Sequence, residues 1–236
     1  MLWKLSLALL LVSLACGCGG PSTLTVGDPH SYSTSFPQTE DPISEAGHWI
    51  NGGTVGLDWT NVSTNGGVAI GHEGSVPYSD ATATLRGTWG PTQTVQGTVY
   101  AANQNITCGQ EVEMRLRTTI APHSITGYEV SFSTSSGYLI IVRWNGPLGD
   151  FTILSNPTGS QYVAENGDVV KATVVGNVIS AYKNGALMGQ VSDDTYSTGS
   201  PGMGFNLNNS VGGCSGTNAD YGFTSFAASD STQGSF

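Results

Sequence analysis

The chain has 236 residues and a formal net charge of −10, from seven Lys and Arg against 17 Asp and Glu. So acidic a chain repels phosphate backbones, which excludes nucleic acid as a partner. Only 10% of residues are charged, while five Trp, nine Tyr, seven Phe and 33 Gly are present, so the composition is that of an all-β extracellular protein and not of a disordered acidic polymer.

In chain order, Lys4 is followed by an apolar run from Leu5 to Leu14. That run is too short to span a bilayer and suits the core of a signal peptide. Leu14-Ala15-Cys16 then resembles the cleavage box of bacterial lipoproteins, a family in which the cysteine becomes the lipidated N-terminus. Ser13 departs from the Leu that this family prefers, which keeps plain secretion as the rival, and Cys18 fits the box less well than Cys16. The resemblance implies a leader over residues 1–18, an extracellular, outer-surface or periplasmic location, and membrane contact only through a lipid on Cys16. Residues 19–39 carry Gly, Ser, Thr and Pro without an apolar period and read as a flexible linker.

A single domain is expected over residues 40–230, with a tail at 231–236. Within it Thr82–Trp89, Thr94–Tyr100, Glu111–Arg117, Tyr128–Ser133 and Asp168–Val175 alternate with period two, as half-buried strands do. Tyr138–Trp144 is more continuously apolar and reads as a central strand. Ser135–Gly137, Asn145–Pro147, Glu165–Gly167, Gly176-Asn177 and Lys183–Gly185 are the turns between strands. No segment shows a helical stripe. Roughly a dozen short antiparallel strands, enough for two packed sheets, are implied. Cys108 and Cys214 remain as an even pair, read as a disulfide in an oxidising compartment. No Cys-x-x-Cys spacing supports the alternative of a zinc site.

Gly167–Gly185, followed by Val191–Asp194, Tyr196, Ser200–Phe205 and Tyr221–Ala227, resembles the later strands of concanavalin A-like, laminin G-type jelly-roll domains. The resemblance implies an antiparallel two-sheet β-sandwich whose concave sheet receives the ligand. It also implies a structural calcium site tying the first and last strands together, for which Asp41 and Asp230 stand at the corresponding ends and Asp193-Asp194 forms a second acidic pair. Activity does not follow from it, since this sandwich hosts lectins, adhesins, hydrolases and lyases.

Alternation places Glu111, Glu113, Arg115 and Arg117 on one face of a strand, with Val112, Met114 and Leu116 on the other. Such a row suits a groove in which Arg pairs a uronate and Glu accepts sugar hydroxyls, or else a solvated face of weak ion pairs. Glu129 and Arg143 would join that face from neighbouring strands, although Arg143 also fits a strand end satisfied by a carboxylate. Trp144 beside Asn145-Gly146 is a candidate sugar platform, ahead of Trp49, Trp59 and Trp89, with burial as a core plug the competing role.

Retaining glucanases of this fold carry Glu-x-Asp-x-x-Glu or Glu-x-Asp-x-Glu on one strand. Glu111-x-Glu113 approaches that pattern and lacks its third carboxylate. The corresponding lyase motifs are not matched. His72-Glu73 is a minor candidate for base or metal chemistry, and the polar loop Asn206–Gly216 is a second glycan-site candidate. The resulting expectation is a lectin-like, carbohydrate-binding domain with a polysaccharide or glycan as partner. A polysaccharide lyase or glycoside hydrolase and a protein-binding adhesion or assembly module are the rivals.

Overall fold

Period-two alternation becomes sixteen strands among the residues that the computed structural model describes, 30–72, 78–104, 109–208 and 216–231. They are β1 (Ser31–Thr34), β2 (Thr39–Glu40), β3 (Trp49–Asn51), β4 (Ser63–Asn65), β5 (Ala69–Ile70), β6 (Ala81–Leu85), β7 (Thr92–Ala101) and β8 (Gly109–Ala121). There follow β9 (Ser124–Ser133), β10 (Leu139–Gly146), β11 (Phe151–Ser155), β12 (Val169–Val175), β13 (Val178–Lys183), β14 (Ala186–Ser192), β15 (Ser200–Asn208) and β16 (Tyr221–Ser231). A single helical turn, α1 (Gly52–Val55), lies between β3 and β4.

The strands form two antiparallel sheets. One has nine strands, in the order β14-β13-β12-β7-β16-β5-β4-β2 with β1 also paired to β16; the other has seven, β11-β10-β9-β8-β15-β6-β3. Alternate residues of each sheet meet in one core. Val112, Met114 and Leu116 of β8, Tyr128, Val130 and Phe132 of β9 and Met203 and Phe205 of β15 face Val170, Ala172 and Val174 of β12 and Tyr221, Phe223 and Phe226 of β16. Each such aliphatic or Phe side chain contributes about 1.5–3 kcal/mol by leaving water. The turns follow the expected chemistry: Asn184 and Gly185, joining β13 to β14, both have positive φ (50° and 81°), the combination a tight hairpin requires.

The domain begins earlier than residue 40. Ser31–Thr34 pairs with β16 from Ser31↔Ser229 to Thr34↔Phe226, and Phe36 is fully buried, so residues 30–39 belong to the sandwich and not to a linker. Backbone pairing holds β1 in place, and its side chains are exposed or half-buried, which is why its polar sequence gives no apolar alternation. The expected leader, the lipidation at Cys16 or Cys18, the Cys108–Cys214 disulfide and Glu73 lie outside the described residues.

Candidate functional site

Strand β8 runs through the middle of the seven-stranded sheet, between β9 and β15. Its outward residues Glu111, Glu113 and Arg115 stand opposite Ser133, Ser131 and Glu129 of β9 and opposite Asn206, Gly204 and Gly202 of β15. Arg115 is the hub. Its Nη1 donates to Glu129 Oε2 at 2.5 Å, and its Nη2 donates to Glu113 Oε2 and to Asp80 Oδ2, the latter at 3.3 Å. Glu129 also accepts from Trp144 Nε1 and from Ser131 Oγ, both at 2.6 Å. Farther along β8, Glu111 accepts from the Tyr138 hydroxyl at 2.5 Å and from Asn206 Nδ2 at 2.8 Å. Glu111, Glu113 and Arg115, which alternation puts on one face of β8, are thus joined there by Glu129 of β9 and Trp144 of β10.

Arg115 is 0% exposed, and three carboxylates share its one charge. Burial, with the negative charges of Asp80 and Glu129 beside it, pushes the Glu113 carboxyl well above the usual carboxylate range against the pull of Arg115. Burial also raises Glu111, opposed by its bonds from Tyr138 and Asn206. For Arg115, burial works against its charge, and the attraction of Glu129, Glu113 and Asp80 outweighs it, so the guanidinium is held in its charged form. Asp80, Glu113 and Glu129 bring oxygens within 4.8 Å of one another, a spacing compatible with a cation. Arg115 bonds all three, so the guanidinium already acts as their counter-ion.

A stretch of chain covers this cluster. After β3 the backbone turns through α1 and lays Leu57 and Trp59 against Ile125, Val142 and Trp144, a second apolar cluster on the outer face of the sheet. The Arg115 guanidinium lies over the Trp59 ring, 4.7 Å from its centroid. The cover is fastened to the β8–β9 turn by His123, whose backbone N–H donates to Gly56 O at 3.0 Å and whose Nδ1 is 2.7 Å from Asp58 Oδ1. The row expected to line an open groove is therefore sealed. Its link to solvent is aromatic: Trp59 packs on Trp144 (4.5 Å between centroids), Trp144 on Phe151 (5.1 Å) and Phe151 on Tyr78 (5.5 Å). Tyr78 is 54% exposed, and Ile153, two residues along β11 from Phe151, is 53% exposed, with Leu148 and Phe151 half-buried.

Two arginines expected on this face are elsewhere. The β8 register shifts against both neighbours around residue 117, and Arg117 takes a φ of 47°. One extra residue in a strand reverses the parity beyond it, so Ile120 now faces outward with Ile125 while Arg117 turns toward the nine-stranded sheet. There its Nε, Nη1 and Nη2 donate to the carbonyls of Pro91, Tyr196 and Gly176 at 2.7, 2.8 and 2.8 Å. Arg143 pairs in register with the core-facing Tyr128 and donates to Asp193 Oδ2 at 2.5 Å, the strand-end pairing that alternation allowed. Trp144 is not an open platform, because Trp59 and Phe151 bury it.

The two aspartates expected at a calcium site stand in different surroundings. Asp230 accepts from the backbone N–H of His30 and of Gly90 and lies 2.9 Å from His30 Nδ1, whereas Asp41 is exposed. His72 approaches Ser63 Oγ at 2.7 Å, but that hydroxyl belongs to a buried residue. Sequence reasoning missed Asp80, Tyr78 and Phe151, none of which lies in an alternating stretch. It ranked Trp59 below Trp144, though Trp59 forms the cover.

The sequence matches no protein-family model and no curated protein. Among solved structures the fold is similar to porphyranase B from Zobellia galactanivorans, with a TM-score of 0.52 at 10% identity over 87% of this chain and 94% of that one. It is similar to the β-glucanase of Bacillus licheniformis, with a TM-score of 0.50 at 14% identity over 84% and 94%. It is also similar to the carbohydrate-binding module CBM66 from Bacillus subtilis, with a TM-score of 0.50 at 12% identity over 80% and 95%. The shared feature is the antiparallel jelly-roll sandwich, the fold class that the sequence resemblance implied.

Proposed function

We propose that this protein binds carbohydrate on the outer face of its seven-stranded sheet, at the aromatic edge formed by Tyr78, Leu148, Phe151 and Ile153. The observation that carries the reading is the aromatic run from Trp59 through Trp144 and Phe151 to Tyr78, anchored on a buried charge cluster and ending in an exposed ring. Exposed apolar patches of this kind mark interaction sites, and aromatic rings offer a sugar's C–H face a rigid, amphipathic surface. Folds shared with glycan-cleaving enzymes and a carbohydrate-binding module make a glycan the natural class of ligand. The leader-like residues 1–18 would carry such a domain out of the cytoplasm.

Binding is favoured over cleavage. A retaining glycosidase needs two carboxyls about 5–5.5 Å apart that both reach the sugar. Here Glu113 is fully buried and bonded to Arg115, while both oxygens of Glu111 are engaged by Tyr138 and Asn206. A glycan array run beside a polysaccharide degradation screen tests the reading. The expected result is binding without product, about tenfold weaker in Tyr78→Ala, as for an aromatic anchor in an interface. Release of shortened or unsaturated products, or an absence of any binding, overturns it.

A further inference from the structure

Resting on that reading, we infer that the ligand is an uncharged glycan, one without uronate, sulfate or sialate groups. The strong partner for an anionic sugar is a guanidinium or an ammonium still available to the ligand. Six Lys and Arg lie among the described residues, and each has another position or task. Arg115 is fully buried under Trp59 with its two terminal nitrogens given to Glu129, Glu113 and Asp80. Arg117 donates to three backbone carbonyls on the inner side of the sheet. Arg143 is held by Asp193, Thr195, Thr152 and Asn145, again away from the outer face.

The other three are remote. Lys171 lies over the Tyr182 ring at 4.3 Å and Lys183 donates to Val163 O at 2.7 Å, both on the nine-stranded sheet. Arg86 follows the end of β6 and donates to Gly47 O, across the width of the sheet from Phe151 on β11.

The charged groups nearest the aromatic edge are the Asp150 carboxylate and, sharing Asn145 with it, the Arg143 guanidinium, which is already committed to Asp193, Thr195 and Thr152. Asp150 is exposed in the β10–β11 turn next to Phe151, where it accepts from Asn145 Nδ2 at 3.0 Å. Glu129 lies beneath, bonded to Trp144. The chain as a whole carries −10. An anionic polysaccharide approaching Tyr78 therefore meets the negative charge of the chain with no uncommitted Lys or Arg beside it among the described residues. A neutral glycan finds the rings of Tyr78 and Phe151, the aliphatic surface of Leu148 and Ile153, and the Asp150 carboxylate as an acceptor for its hydroxyls. Sequence alternation pointed to Arg pairing a uronate; the three carboxylates around Arg115 remove that role.

The test is a titration of the full chain with neutral β-glucan and galactan oligosaccharides in parallel with alginate, pectate and carrageenan oligosaccharides, each at low and high salt. Binding is expected with a neutral probe, unchanged by salt and about tenfold weaker in Tyr78→Ala. Binding of an acidic probe that weakens with salt overturns the inference and leaves carbohydrate binding standing. Binding of a neutral probe that Tyr78→Ala leaves intact overturns the placement at the aromatic edge. A failure of all probes to bind overturns the carbohydrate reading itself, and the inference with it.

Discussion

Gly204 of β15 stands opposite Glu113 of β8, and the space where a side chain would be is where the Glu113 carboxyl meets the Arg115 guanidinium. A Cβ at this position would lie 2.7 Å from Arg115 Nη2 and 3.0 Å from Ala81 O, and closer still to Glu113 Oε2. The Ala81 carbonyl is part of the sheet and has little freedom to move. Gly204→Ala is expected to destabilise the domain by about 1–3 kcal/mol, as overpacking does. A urea midpoint that falls at constant slope is the measurement; an unchanged midpoint would remove Gly204 from the support of the cluster.

Removing the hub should cost more than removing a spoke. Arg115→Met leaves Asp80, Glu113 and Glu129 buried without their counter-ion, and a loss of about 3–5 kcal/mol is expected. Glu113→Gln keeps an acceptor for Arg115 while lowering the negative charge. Its Oε1 and Arg115 Nε have no hydrogen-bond partner among the described residues. The double variant Arg115→Met/Glu113→Gln is expected to be less destabilised than Arg115→Met alone. Simple additivity in the denaturation cycle would show that the two side chains do not act as one network.

Stability should also follow pH in a definite direction. Glu111 and Glu113 have folded pKa values raised above 4.5 by burial, so the folded chain keeps protons that the unfolded chain releases. Their contribution is complete below the unfolded value and is lost as pH rises through the folded one. Asp193 and Asp230 are lowered from 3.8 because, although burial alone would raise them, hydrogen bonds from Tyr128 and Thr195 and from Gly90 and His30 favour the charged form more strongly. Their contribution is lost as pH falls through the folded value. Tm is therefore expected to peak at about pH 4–5 and decline toward neutrality, with Glu113→Gln flattening the neutral-side decline. A peak at neutral pH in thermal scans from acid to neutral would contradict this account.

Arg117 and Tyr78 should separate stability from binding. Arg117→Ala removes charged donors from the carbonyls of Pro91, Tyr196 and Gly176, and at roughly 1.5–3 kcal/mol for each charged hydrogen bond a loss of several kcal/mol is expected. Folded Arg117→Ala should bind glycan as the parent does, because its side chain leaves the outer face. Tyr78→Ala, at an exposed ring, should change stability by only about 0.5 kcal/mol while weakening binding. Denaturation curves paired with glycan titrations would reverse this account if the two variants exchanged phenotypes.

The strands of the later chain were legible because each wrote its own burial in local alternation. Asp168–Val175 reads as a strand and forms β12 with Val170, Ala172 and Val174 inside. Weak alternation hid others. β1 is too polar to read as a strand, and Phe151–Ser155 carries its apolar residues at a half-exposed edge. The assignment of Glu111, Glu113 and Arg115 to one face was likewise local, since a strand's side chains alternate whatever the rest of the chain does.

Period two thus determined, without any tertiary information, that Glu111, Glu113 and Arg115 would share one face of a strand. The tertiary structure alone decided what that row can do. The extra residue at Arg117 reverses parity only because both neighbouring strands keep their own registers, and no local pattern announces it. The cover carrying Trp59, the arrival of Asp80 at Arg115 and the seat of Tyr78 on Phe151 join residues tens of positions apart. Such contacts depend on how loops close over a finished sheet, a non-local competition between burial and charge that strand alternation does not record.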